Sequence, residues 1–199
     1  MAVQSGSVAL VHMLLERGCS LSSKGAFGYT ALHQVAYTPF VSLCEFLLAN
    51  GANMDALSRN GSTPLLIAAR EGHAAVVACM LAHGADPNDG GDKGLTPLLM
   101  ASAEGHLDVV KLLLMSKANA TESLFEGRTP LHEAAEAGHI DVCLALMSVG
   151  NANIHAEDKE GVTPLMVAAK QPDLLKVMSL CKPYLDAEPR LPPQAALAN

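Results

Sequence analysis

Gly127-Arg128-Thr129-Pro130-Leu131-His132-Glu133-Ala134-Ala135-Glu136-Ala137-Gly138-His139 is the stretch on which the reading of the chain turns. Gly127 allows a tight turn, the Thr129 hydroxyl can cap a helix, and Pro130 suits the first helical position, where its missing N–H removes no bond. A short helix should run on from Leu131. Ala134, Ala135 and Ala137 leave little side chain between that helix and a neighbour, and Gly138 releases the backbone before a second helix. So thin a helix does not fold alone; it must be one of a stack.

The device recurs at Thr63-Pro64-Leu65, Thr96-Pro97-Leu98 and Thr163-Pro164-Leu165, with Thr30-Ala31-Leu32 as a weaker copy. Successive threonines are 33, 33, 33 and 34 residues apart, and a fixed period of this size marks an array of stacked repeats. These segments resemble ankyrin repeats, whose pattern is a turn, Gly-x-Thr-Pro-Leu-His-x-Ala-Ala-x-x-Gly-His, and an apolar helix closing on glycine. The likeness extends over residues 2–182. It implies an all-α, right-handed ankyrin-repeat solenoid of stacked helix pairs with protruding hairpin loops, a scaffold used to bind other proteins.

On that register the chain divides into a truncated half repeat (1–24), full units at 25–57, 58–90, 91–123, 124–157 and 158–182, and a proline-rich tail at 183–199, expected to be disordered. Gly6 and Gly18 match Gly72 and Gly84, so the first hairpin is missing and the N-terminal end is either a truncation or a makeshift cap. Val8, Val11, Leu14 and Leu15 still trace an apolar helical face, and residues 2–17 are expected to fray. The unit of Thr30 departs most from the pattern. It has Ala31 for proline and Pro39 where later units have the inter-helix glycine, and the last unit repeats that exchange at Pro172.

Second helices carry apolar stripes such as Val76, Val77, Met80 and Leu81, or Val109, Val110, Leu113 and Leu114. Gly84 and Gly150 are expected to stop their helices in the left-handed conformation, with Lys117 in that place in the third full unit at a cost of about 1 kcal/mol. The extra residue of the 34-residue step falls between Gly150 and Thr163 and is expected in the hairpin loop.

Composition narrows the function. A net charge of −7 and a pI near 5.5 argue against nucleic acid as partner, since phosphate backbones need a lysine and arginine surplus. No apolar run is long enough to span a bilayer and no secretory signal opens the chain, so the reading is no membrane, a cytoplasmic monomer, with the nucleus as alternative compartment. Cys19, Cys44, Cys79, Cys143 and Cys181 are odd in number and form no Cys-x-x-Cys pair. They read as buried free thiols in a reducing compartment.

Four patterns suggest chemistry and yield to plainer readings. His132-Glu133-Ala134-Ala135-Glu136, followed by His139, resembles a zinc-protease helix, yet His132 is the histidine of the repeat pattern and Gly138 ends the helix first. His73, His106 and His139 stand one per unit, at helix spacings of about 8–10 Å, too far apart for ligands on one ion, and read as a structural ladder. Asp89-Gly90-Gly91-Asp92-Lys93-Gly94 lacks the spacing of a phosphate loop, and no serine sits in a nucleophile elbow. Pro189-Arg190-Leu191-Pro192 is a minimal docking pattern that reads as passive tail. The expectation is no enzyme, no catalytic residue, no metal and no cofactor.

The family's partners are read by hairpin tips and by the inner face of the first helices. Carried over, the partner-binding positions are Phe27, Tyr29, Arg59, Lys93, Leu95, Phe125, Arg128 and Lys159 at the tips. On the inner helices they are Tyr37, Arg70, Glu71, Glu104, Glu133, Glu136 and Lys170. Aromatic and arginine side chains are the usual interface anchors; for Tyr29 and Phe125, partner contact and packing on the adjacent hairpin both stand open. Asn88 occupies a loop where related ankyrin asparagines are hydroxylated, in a poorly matching context. The resemblance implies a non-catalytic adaptor, scaffold or inhibitor of unidentified partner; the alternative is a regulatory ankyrin piece of a larger enzyme such as a kinase or ubiquitin ligase subunit.

Overall fold

Each threonine of the repeat starts a helix. Thr63 Oγ1 accepts the Leu66 N–H at 3.3 Å, Thr96 that of Leu99 at 3.3 Å, and Thr163 that of Met166 at 3.4 Å. Pro64, Pro97, Pro130 and Pro164 occupy the first turn behind these caps, where no amide bond is lost. The computed structural model describes residues 3, 6–121 and 126–169. Phe125, Lys170, Pro172, Cys181 and the whole of the tail lie outside the described residues, as do Met1 and Ala2.

The described residues form ten α-helices: α1 (Val8–Glu16), α2 (Ala31–Ala36), α3 (Val41–Ala49), α4 (Pro64–Arg70), α5 (Ala74–Ala82), α6 (Pro97–Ala103), α7 (Leu107–Met115), α8 (Pro130–Ala137), α9 (Ile140–Ser148) and α10 (Pro164–Ala168). Even-numbered helices pack in one inner row, each on the next, and α1, α3, α5, α7 and α9 pack in an outer row. Within a unit the two rows meet through α2 and α3, α4 and α5, α6 and α7, and α8 and α9. The all-α solenoid implied by the threonine register is therefore the observed architecture.

The core lies between the rows. Leu32, Leu65, Leu98 and Leu131 of the inner helices meet Leu43, Val76, Val109 and Val142 of the outer ones, all buried. Each such side chain contributes about 1.5–3 kcal/mol relative to exposure, while Ala36, Ala69 and Ala135 let the rows approach. Ser102 takes that alanine's place on α6, and among the described residues its Oγ is the buried side-chain oxygen with no partner. The expected apolar face of α1 is only partly used: Val11 is buried, but Leu10, Met13 and Leu14 are exposed. Leu43 and Val76, the register mates of Leu10, and Leu47 and Met80, those of Leu14, are buried, because those helices have an inner helix ahead of them and α1, among the described residues, has none.

Two loop expectations divide. Gly84 and Lys117 are left-handed as expected, at φ 93° and 68°. Gly150 is not; Asn151 is, at φ 49°. From Asn151 to Thr163 the step is then 12 residues, as it is from Gly84 to Thr96, so the hairpin has its usual length. The extra residue is taken up at the end of α9, where Ala152 N–H reaches back to Leu146 O, one residue farther than the Ala85 to Met80 and Ala118 to Leu113 bonds. Asparagine tolerates the left-handed region better than most residues, which lets the stop move on by one.

Cys44, Cys79 and Cys143 are buried and in no disulfide, but Cys19, in the turn after α1, is exposed. Burial pushes the Cys44 thiol far above its usual pKa and raises that of Cys79 as well, which disfavours the reactive thiolate at both. Among the described residues no helix is long and apolar enough to cross a membrane.

Candidate partner-binding face

The hairpins are tied to one another by backbone bonds that leave their tips outward. Arg59 N–H donates to Phe27 O at 2.8 Å, Asp92 N–H to Gly61 O at 3.0 Å and Lys159 N–H to Glu126 O at 2.9 Å. The approach is close enough that a Cβ on Gly61 would lie 2.5 Å from the Asp92 Cβ. Two backbone N–H groups, from Val162 and Glu160, converge on the Asp158 carboxylate and hold its pKa below the usual range.

Under the tips, buried histidines join hairpin to helix. Thr30 N–H donates to His33 Nδ1 at 3.2 Å, which fixes the proton on Nε2, and Nε2–H donates to Ser62 O in the next unit at 3.0 Å. His132 repeats this with Thr129 N–H at 3.1 Å and Val162 O at 3.0 Å. Desolvation lowers the His33 pKa below its ordinary value, keeping the ring neutral. Both ring nitrogens of His132 are therefore occupied, and His139 Nε2–H donates to Ala103 O at 3.1 Å. The zinc-like pattern is a cap and a strut: His132 has both nitrogens committed, and His139 spends its Nε2–H on the neighbouring unit.

Eight of the expected binding residues fall into two clusters. At the first, Tyr29 stacks on the His33 ring (centroids 5.5 Å, planes 16° apart) and its hydroxyl bonds that of Tyr37 at 2.8 Å. Arg70 Nη2 donates to Tyr37 Oη at 3.2 Å and to Glu71 Oε1 at 2.8 Å, with the guanidinium 5.7 Å from the Tyr37 ring centre. Phe27 closes the row, its ring 6.1 Å from that of Tyr29 and 62% exposed. At the second, Arg128 Nε donates to Glu133 Oε1 at 2.6 Å, and its Nη2 bonds Glu136 Oε2. Burial works against the Arg128 charge, but the two carboxylates more than offset it and raise its pKa.

Tyr29 does not lie on the adjacent hairpin. It packs on its own unit, half-buried, because the residue before the threonine lies directly over the capping histidine. Arg59, Lys93 and Glu104 stand exposed outside both clusters, Leu95 is half-buried, and Lys159 is exposed on the last described hairpin. Sequence reasoning missed that Arg70 and Arg128 are each held by carboxylates of the same face. The Glu133 and Glu136 spacing, one helical turn apart, could have signalled the second pair. Nothing local signals Arg70 to Tyr37, which join across 33 residues. Lys24, which reaches Leu57 O at 2.9 Å, was missed for the same reason. Asn88 Oδ1 accepts the Asn119 N–H at 2.8 Å, tying one loop to the next.

No curated protein matches the chain. The family model described as ankyrin repeats (three copies) matches at residues 1–90, 32–123 and 98–189, which overlap to take in all the described units. Ankyrin repeats are in general protein-interaction modules without catalytic activity of their own. On the strength of those matches and of the paired rows of helices beneath the hairpins, the chain belongs to the ankyrin-repeat family.

Proposed function

We propose that this chain is a non-catalytic adaptor or scaffold that grips a protein partner, in the cytoplasm, on its hairpin tips and inner-helix face. The observation that carries the reading is the Phe27, Tyr29, Tyr37, Arg70 and Glu71 cluster. Mutual hydrogen bonds and ring stacking hold Tyr29, Tyr37, Arg70 and Glu71 in place, so little conformational entropy is lost when a partner lands on them. Tyrosine and arginine are also the residues that most often dominate interface energetics. Phe27 supports the reading further, since an exposed phenylalanine in a left-handed tip position (φ 59°) adds nothing evident to packing.

Affinity capture from cell extract tests it. The Tyr37→Ala, Arg70→Ala double variant, with unchanged circular dichroism, should lose at least about tenfold of the captured partner, the scale of one interface anchor. Equal capture by wild type and variant would put the binding face elsewhere.

A further inference from the structure

The inner-helix face is not chemically uniform along its length. At the unit of Thr30 it is aromatic. Phe27 stands out at the tip, and Tyr29 and Tyr37 form a shelf behind it, with ring centres 5.6 Å apart. The tip's structural duty is carried by the Phe27 carbonyl, which accepts the Arg59 N–H, and any residue supplies a carbonyl. The phenyl ring itself is surplus to the fold.

Beyond the shelf, over α4, α6 and α8, the ionisable side chains on this face are Arg70, Glu71, Glu104, Arg128, Glu133 and Glu136. Both guanidiniums are already engaged: Arg70 by Glu71 and Tyr37, Arg128 by Glu133 and Glu136. An anionic partner landing on the inner helices would have to break these pairs, since the exposed cations Arg59, Lys93 and Lys159 stand at the hairpin tips instead. Glu104, just past the end of α6 and between the two clusters along the chain, is exposed and has no ion-pair partner among the described residues. Four carboxylates against two satisfied guanidiniums leave the face acidic beside an aromatic shelf. Charge complementarity then favours a cation, and a tyrosine ring flanked by carboxylate suits an arginine or lysine side chain.

We propose that the face takes an extended protein segment that is cationic, seating a large apolar side chain against Phe27, Tyr29 and Tyr37 and directing arginine or lysine toward Glu104 and the flanking glutamates. This deepens the protein-binding reading above and rests on it.

The probe is a random dodecapeptide library displayed on phage and selected on the purified chain at low salt. Two variants serve as readouts because neither removes a buried side chain: Glu104→Lys reverses an exposed charge, and Phe27→Gly removes an exposed ring at a positive φ that glycine adopts freely. Enriched peptides should carry arginine or lysine with an aromatic or large aliphatic residue. Their affinity in fluorescence anisotropy should fall about fivefold for each variant, and further as salt rises. Enriched peptides that are acidic or neutral, yet still weakened by Phe27→Gly, would overturn the cationic assignment and leave the binding face standing. Peptides indifferent to both variants, or no enrichment at all, would overturn both readings.

Discussion

At the boundary between the units of Thr63 and Thr96, the His106 ring lies on Gly72 and its Nε2–H donates to Arg70 O at 2.8 Å. His139 does the same on Gly105 one unit later, reaching Ala103 O at 3.1 Å. The boundary between the units of Thr30 and Thr63 should be a third copy, yet His73 makes no such bond. The register puts Pro39 where Gly72 and Gly105 stand. Those glycines adopt φ 76° and 78°, whereas proline is confined near −65° and carries a ring. The seat for the histidine is gone. That boundary is held by Lys24 on Leu57 O and His33 on Ser62 O from the hairpin side, and by Arg70 on Tyr37 at the C-terminal ends of α4 and α2. A solenoid keeps its pitch when one strut is lost, provided another spans the same joint, and here the replacement also builds the aromatic cluster.

The largest way to break the comparison is to remove the struts buried under the hairpins. His33→Ala should cost about 3 kcal/mol, since it leaves Thr30 N–H and Ser62 O unpaired and opens a cavity. His132→Ala should cost as much, and chemical denaturation measures both. The same site sets an acid limit. The folded pKa of His33 lies below the unfolded value near 6.5, so the unfolded chain binds the proton more readily. The stabilisation is complete above that value and is lost as pH falls from it through the folded pKa. Urea midpoints of the wild type should therefore drop as pH falls below about 6.5, and more steeply than those of His33→Gln.

Gly105→Ala comes next, at about 2 kcal/mol, because the new Cβ would lie 2.5 Å from the His139 ring at a φ where alanine is already strained. A thermal shift of less than 1 °C would show that the histidine seat carries no load. His106→Ala should cost about 1 kcal/mol for its lost bond to Arg70 O, while His73→Ala should stay within about 0.5 kcal/mol. Pro39→Gly should sharpen that contrast: in its background His73→Ala should become as costly as His106→Ala, a coupling a double-mutant cycle reads directly.

Much of the architecture was legible because its causes are local. A threonine caps a helix three residues on, a proline fits the first turn, and Lys117 is held left-handed in the place its register demanded. Interactions that cross units were not legible in the same way. Arg70 and Arg128 read as free anchors, and both are already paired. For Tyr29 the sequence leaves open partner contact or packing on the adjacent hairpin, and the ring stacks on His33 of its own unit. The added residue of the long step was expected in the hairpin and lies at the end of α9, since helix stops compete through φ, and Asn151 accepted the left-handed value one residue after Gly150.

The threonine spacing alone determined that this chain is a stack of helix pairs, because capping and turning act over three or four residues and repeat wherever the residues repeat. Which side chains would face outward unpaired was decided only by stacking. A neighbour some 33 residues away in the chain is a contact in space, and its distance depends on how closely alanine and glycine let successive units approach.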